Sequence, residues 1–118
     1  MQLLSSQSLL GTRVENSKGE SLGTIKELMI DIKHGRIAYA VLDFGGFLGI
    51  GNKLFALPWG GFVLNTAREV IVLDIPRERL ENAEGFDKDH WPTMDDPEFA
   101  ARIYDYYGSA RYWEAPTR

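Results

Sequence analysis

The segment from Val41 to Trp59 constrains this chain more than any other. An apolar run, Val41-Leu42-Asp43-Phe44, enters a stretch with four glycines in seven residues: Gly45, Gly46, Gly49 and Gly51. A second apolar run, Leu54-Phe55-Ala56-Leu57, leaves it and is closed by Pro58 and Trp59. Glycine reaches backbone angles that other residues avoid, and it lets two backbones approach closely. The pattern predicts two buried strands joined by a compact corner. Its structural residues are Gly45, Gly46, Gly49, Gly51, Pro58 and Trp59.

Phosphate-binding motifs fail at this corner. A dinucleotide fingerprint needs Gly-x-Gly-x-x-Gly opening a helix. Gly49-Ile50-Gly51 is followed by Asn52-Lys53-Leu54, so the third glycine is missing. A P-loop needs lysine and then serine or threonine after its second glycine. Gly46 and Gly51 have the right spacing, but Asn52 stands where lysine must be. The corner reads as a structural turn.

At 118 residues the chain is long enough for one domain with a core that needs no metal or crosslink. It has no cysteine, which excludes disulfides, zinc-thiolate sites and thiol catalysis and fits a reducing, cytoplasmic setting. Met1 to Ser6 has neither a basic region nor a long apolar run, so no signal peptide is expected. No apolar stretch is long enough to span a bilayer. The net charge of −4 argues against general affinity for nucleic acid or anionic lipid.

The rest of the chain reads as short strands and tight turns. Thr12 to Glu15 predicts a first strand with Val14 inward, and Asn16-Ser17-Lys18-Gly19 a turn. Leu22 to Ile32 predicts a second strand. Leu28, Ile30 and Ile32 alternate with Met29 and Asp31, the period of a half-buried strand. Ile25 is out of phase with Leu28, which predicts a bulge near Lys26-Glu27. Lys33-His34-Gly35 closes a hairpin. Arg36 to Phe44 is apolar on both faces, with Ile37, Tyr39 and Val41 on one and Ala38, Ala40, Leu42 and Phe44 on the other. Such a strand is central and covered on both sides. Phe62-Val63-Leu64 and Val70 to Ile75 complete the set. Pro76 to Ala83 predicts a short helix with Pro76 at its first position. A second helix starts at Pro97, with Asp96 as N-cap and Gly108 as its stop.

These residues resemble a PRC-barrel domain over Ser8 to Trp91. The match is carried by Leu10-Gly11, Val14, Gly19-Glu20, Gly23, Ile25, Asp31, Gly35, Ile37 and Tyr39-Ala40-Val41-Leu42. It continues through Phe44 to Gly51, Leu54 to Trp59, Leu80, Phe86-Asp87 and Trp91-Pro92. The family includes the cytoplasmic domain of the photosynthetic reaction-centre H subunit and the C-terminal domain of the ribosome-maturation factor RimM. The resemblance implies a mainly β fold: a small, partly open six-stranded barrel over residues 5–92, with short C-terminal helices and an aromatic tail over 93–118. It implies no single activity, because a fold does not fix function. The sequence shows neither the H subunit's transmembrane helix nor RimM's N-terminal RNA-processing domain, and looks most like the stand-alone bacterial members.

Three clusters could carry chemistry. Gly19-Glu20-Ser21-Leu22-Gly23 matches the Gly-x-Ser-x-Gly nucleophile pattern. That motif works only on a strand-to-helix turn within a larger α/β sheet. Here both flanks read as strands, so Ser21 reads as a turn serine. Asp87, Asp89, His90, Asp95 and Asp96 form an acidic cluster, but Trp91 and Pro92 break the calcium-loop pattern. His34 reads as a solvated turn residue. We therefore expect no enzyme activity, no cofactor and no metal.

The aromatics say more. Phe99, Ile103, Tyr106 and Tyr107 form a helical stripe, and Tyr104, Tyr112 and Trp113 crowd the same region beyond the barrel. These seven residues are the candidate interface. Either the helix packs across the open barrel edge, or it docks on a second chain. The chain reads as a contact or assembly module, a homodimer with an unidentified protein partner and no nucleic acid bound directly. The resemblance implies two settings, membrane bioenergetic complexes of the reaction-centre kind or ribosome maturation and RNA processing. The rival reading is a small enzyme or ligand binder with its site between barrel and C-terminal helix.

Overall fold

The computed structural model describes residues 1–46 and 52–114. Six strands form one curled sheet: β1 (Arg13–Glu15), β2 (Ser21–Asp31), β3 (Arg36–Gly46), β4 (Asn52–Pro58), β5 (Phe62–Asn65) and β6 (Val70–Leu73). Their order is β4-β3-β2-β1-β6-β5. Neighbours are antiparallel except β1 and β6, which run parallel. β4 and β5 are the two edges of the sheet, so the barrel is partly open, as expected. Among the described residues, three α-helices accompany it: α1 (Ser6–Leu9), α2 (Arg77–Glu81) and α3 (Pro97–Tyr106).

Two apolar cores lie on opposite faces of the sheet. Inside the curl, Val14, Leu22, Ile25, Leu42, Phe55, Leu57 and Ile71 are buried together, with Leu80 of α2 closing one end. On the back of β3 and β4, Tyr39, Val41, Leu54 and Ala56 are buried under Phe99, Ile103 and Tyr104 of α3. β3 alternates between the two cores, which explains its apolar residues on both faces.

Two bulges in the β2–β3 pairing adjust that alternation. One lies between Ile25 and Glu27, where Lys26 is the extra residue, as the phase slip predicts. The other is on β3. Met29 pairs with Tyr39 and Ile30 with Ile37, so Ala38 is extra. This corrects the expected faces: Ile37 packs against the inner core and Ala38 against the outer one. The expected burial of Ile30 and Ile32 is also wrong. Leu28 is buried, but Ile30 is 55% and Ile32 92% exposed. Periodicity assigns a residue to a side of the strand; it does not say whether anything covers that side.

Smaller differences concern the termini of elements. Ahead of β1, where no element is expected, Ser6–Leu9 forms the helical turn α1. Pro76 is the N-cap of α2 and not its first residue, and α2 ends at Glu81. β6 ends at Leu73, where Ile75 N–H turns back to the Leu73 carbonyl (2.9 Å). At the glycine corner Gly45 has φ +81°, and Gly46 pairs with Asn52. Gly49 and Gly51, with Phe47, Leu48 and Ile50, lie outside the described residues. Pro58 ends β4 opposite Tyr39, and Trp59 opens a 3-10 turn and stacks on Phe62 with ring centroids 5.2 Å apart.

The turn after β1 holds a buried amide. Asn16 is 4% exposed. Its Oδ1 accepts from Lys18 N–H (3.1 Å) and Glu20 N–H (3.0 Å), while Nδ2 donates to Glu20 Oε1 (2.9 Å) and the Ile75 carbonyl (3.2 Å). All these bonds end on one side chain, so Asn16→Ala removes several part-buried hydrogen bonds at once. The expected loss is about 2 kcal/mol, read as a lower urea midpoint at unchanged slope. Asn16→Asp keeps the acceptor but loses the donor.

Candidate interaction groove

α3 begins as its sequence predicts. Asp96 Oδ1 accepts from Glu98 N–H at 3.0 Å, and Pro97 opens the first turn. Its apolar stripe lands on the outer core. Phe99 and Tyr104 pack on Tyr39, with centroids 6.1 and 5.8 Å away. Two phenols then tie the layer down. Tyr39 donates to the Met94 carbonyl (3.0 Å), and Tyr104 to the Ala38 carbonyl (2.5 Å). Ala38 is the bulge residue, so Tyr104 serves a backbone group outside the regular ladder. Burial pushes the Tyr104 phenol up to about 12.

Beyond α3 the chain turns at Gly108 (φ +67°), and Ser109 N–H bonds back to the Tyr104 carbonyl (2.9 Å). Arg111 then clasps Asp105 through Nη2 (2.6 Å) and Nε (3.1 Å). The 3-10 turn Tyr112–Glu114 lies against the β2–β3 hairpin. Tyr112 donates to Asp31 Oδ2 at 2.5 Å, and the Arg36 guanidinium sits 3.9 Å from its ring centroid. Trp113 meets Tyr104 edge to face at 4.6 Å.

Asp31 gathers the hairpin and the C-terminal turn. Its Oδ1 accepts from Lys33 and His34 N–H groups (both 3.1 Å), and its Oδ2 meets His34 Nδ1 at 2.9 Å as well as Tyr112. The Tyr112 hydroxyl, then the His34 contacts, hold this carboxyl down to about 2 from an ordinary 3.8, against the opposing effect of desolvation. A depressed folded pKa stabilises above the unfolded value, and the contribution disappears as pH falls through the folded one. Asp31 therefore supports the C-terminal turn at neutral pH and loses that role between about pH 4 and 2. The Tyr112 ring resonances should move over that window, and Asp31→Asn should abolish the movement.

A groove of about 690 Å³ runs between the hairpin and α3. Met29, Ile30 and Ile32 form one wall, and Met94, Pro97 and Ala100 the other. Tyr112 and Trp113 close one side. Asp31, Lys33, His34 and Asp95 supply its polar groups. A second cavity, about 560 Å³, lies between α1, β1 and the β5–β6 hairpin.

The candidate interface residues are thus used within the chain. Phe99, Ile103 and Tyr104 are buried in the outer core. Tyr107 joins the two cores, and Tyr106 donates to the Arg79 carbonyl (2.6 Å). Of the seven, Tyr112 and Trp113 line the groove. Ile30 and Ile32, which sequence reasoning placed in the core, are exposed at the hairpin end beside the groove.

The other clusters are dispersed. Ser21 starts β2, and Gly23 lies within that strand. His90 Nδ1 pairs with Asp87 at 2.7 Å, Asp96 caps α3 and Asp95 lies at the groove. Among the described residues, no three His, Asp or Glu side chains are grouped as a metal would need. Among them also, no helix is long and apolar enough to cross a membrane.

A curled, partly open six-stranded sheet with a short helix on its back is the architecture of a small β-barrel domain. The PRC-barrel domain model matches residues 1–80, and the chain belongs to the PRC-barrel family. Among solved structures it is similar to a 16S ribosomal RNA processing protein, RimM, of Pseudomonas aeruginosa, at 19% identity with a TM-score of 0.43. That alignment covers 64% of this chain and 45% of the RimM chain, so the match spans less than half of that protein's length. No curated protein matches the chain.

Proposed function

We propose that the chain is a non-catalytic contact module that seats an apolar segment of a partner protein in the groove between the β2–β3 hairpin and α3. The exposure of Ile30 and Ile32 beside a groove walled by Met29, Met94 and Trp113 carries this reading. Contiguous exposed apolar surface next to a concavity marks contact sites. Asp95 at the rim makes no hydrogen bond or ion pair among the described residues. With a net charge of −4, that favours a partner segment carrying basic residues. The homodimer expected from sequence would reach this face only through Tyr112 and Trp113, and the −4 charge of a second copy disfavours it as the occupant.

Ile32→Asp tests the reading, since Ile32 is 92% exposed and its replacement leaves the core intact. Capture with the wild-type chain as bait should return a reproducible partner, and Ile32→Asp should weaken its binding at least about tenfold. Circular dichroism should be unchanged. Equal binding by the variant would remove the groove from the function. The partner's identity would separate a bioenergetic membrane complex from ribosome maturation. A metabolite that raises the melting temperature and is blocked by Ile32→Asp would instead favour the small-ligand reading.

A further inference from the structure

The segment Ser109–Glu114 is attached to the outer layer mainly through its side chains. It adds no strand to the sheet. Its backbone bonds are local, Ser109 N–H to the Tyr104 carbonyl and Glu114 N–H to the Arg111 carbonyl. It follows a glycine at φ +67°, a natural pivot. Side-chain contacts hold it down: Arg111 on Asp105, Tyr112 on Asp31, His34, Arg36 and Tyr104, and Trp113 on Tyr104. Beneath it lie Tyr104, which is 3% exposed, and the half-buried Met29 and Ala38.

The same residues belong to the groove. Tyr112 and Trp113 form its closed side, and Asp31 stands in the hairpin that presents Ile30 and Ile32. Asp31 Oδ2 is shared by Tyr112 and His34, so whatever rearranges the hairpin turn also disturbs the segment's anchor. Asp31, Lys33, His34 and Arg36 face Tyr112 from the hairpin, and Tyr104 faces it from α3.

We infer that Ser109–Glu114 is a releasable latch: it occupies one end of the groove with the chain's own Tyr112 and Trp113, and a partner entering from the hairpin side displaces it. This rests on the groove being the docking site, and it adds a regulatory step to that reading. The outer core beneath does not depend on the latch, because Phe99 and Ile103 pack on Tyr39, Val41 and Leu54 without it. Lifting the latch lengthens the groove over Tyr104 and Ala38 and leaves the sheet in place.

Amide hydrogen exchange on the full chain at neutral pH tests this. Tyr112→Phe removes only the hydroxyl that reaches Asp31, and Trp113→Ala removes the ring on Tyr104. In each variant, amides of Ser109–Glu114 should exchange at least about tenfold faster, with β3 and β4 unchanged. Binding of the neutral dye Nile red should rise several-fold. Equal acceleration in β3 and β4 would make the segment an inseparable part of the core and overturn the latch. Unchanged exchange in the segment would overturn it too, as would unchanged dye binding. Partner binding left unchanged by Ile32→Asp, alongside released latch amides, would sink the docking reading but not the latch.

Discussion

Gly23→Ala is expected to destabilise the chain by about 3 kcal/mol or more, a large fraction of the roughly 5–15 kcal/mol that holds an ordinary domain folded. Gly23 sits in β2 opposite Val14 with φ +127°, a region that side chains rarely enter. A Cβ there would lie 2.1 Å from the Asp43 carbonyl oxygen, 2.9 Å from its carbon and 3.1 Å from Phe44 Cα. All three are backbone atoms of β3, the strand clamped between the two cores, so none can yield cheaply. Gly11 and Gly19 make the control. Both have positive φ, yet a Cβ would meet open space. Their alanine variants should cost about 1 kcal/mol each, the conformational term alone. Urea denaturation separates the cases, and an equal midpoint for Gly23→Ala would contradict the packing just described.

Phe99→Ala is expected to cost about 3–5 kcal/mol. The ring is 5% exposed and packs on Tyr39, whose own hydroxyl anchors Met94. Its loss leaves a cavity between α3 and the sheet and weakens the cover over Val41, Leu54 and Ala56. Phe99→Leu should recover much of the loss, because the site needs apolar volume more than an aromatic ring. Truncation before Asp95 removes the whole layer and exposes the same strand face. That barrel should keep β structure by circular dichroism and aggregate. A soluble truncated chain with wild-type stability would mean that α3 contributes little to the fold.

Much of the architecture was readable in the residues. The two-faced apolar pattern of Arg36 to Phe44 foretold a strand between two layers, and β3 is that strand. The phase slip at Ile25 foretold the bulge at Lys26. Asp96, Pro97 and Gly108 bracketed α3 by local chemistry alone. These signals are legible because each concerns a residue's own backbone or its neighbours within a few positions.

What sequence reasoning missed depends on partners far along the chain. Gly23 stood out as part of a serine motif and a family match; its steric role needs Asp43, which only strand pairing brings near. Asn16 read as a turn residue, and its bond to the Ile75 carbonyl lies 59 positions away. Ile30 and Ile32 followed the core period, yet the hairpin end carries them beyond any covering layer. Tyr112 and Asp31 are 81 positions apart, and no periodicity links them. By itself, then, the sequence determined the strands, the caps of α3, one bulge and the family, because propensity, turn chemistry and hydrophobic period are local. Which apolar residues stay exposed, and that the C-terminal aromatics fold back on their own barrel to wall a groove, came only from tertiary packing. Both depend on the distances between segments that the chain order leaves open.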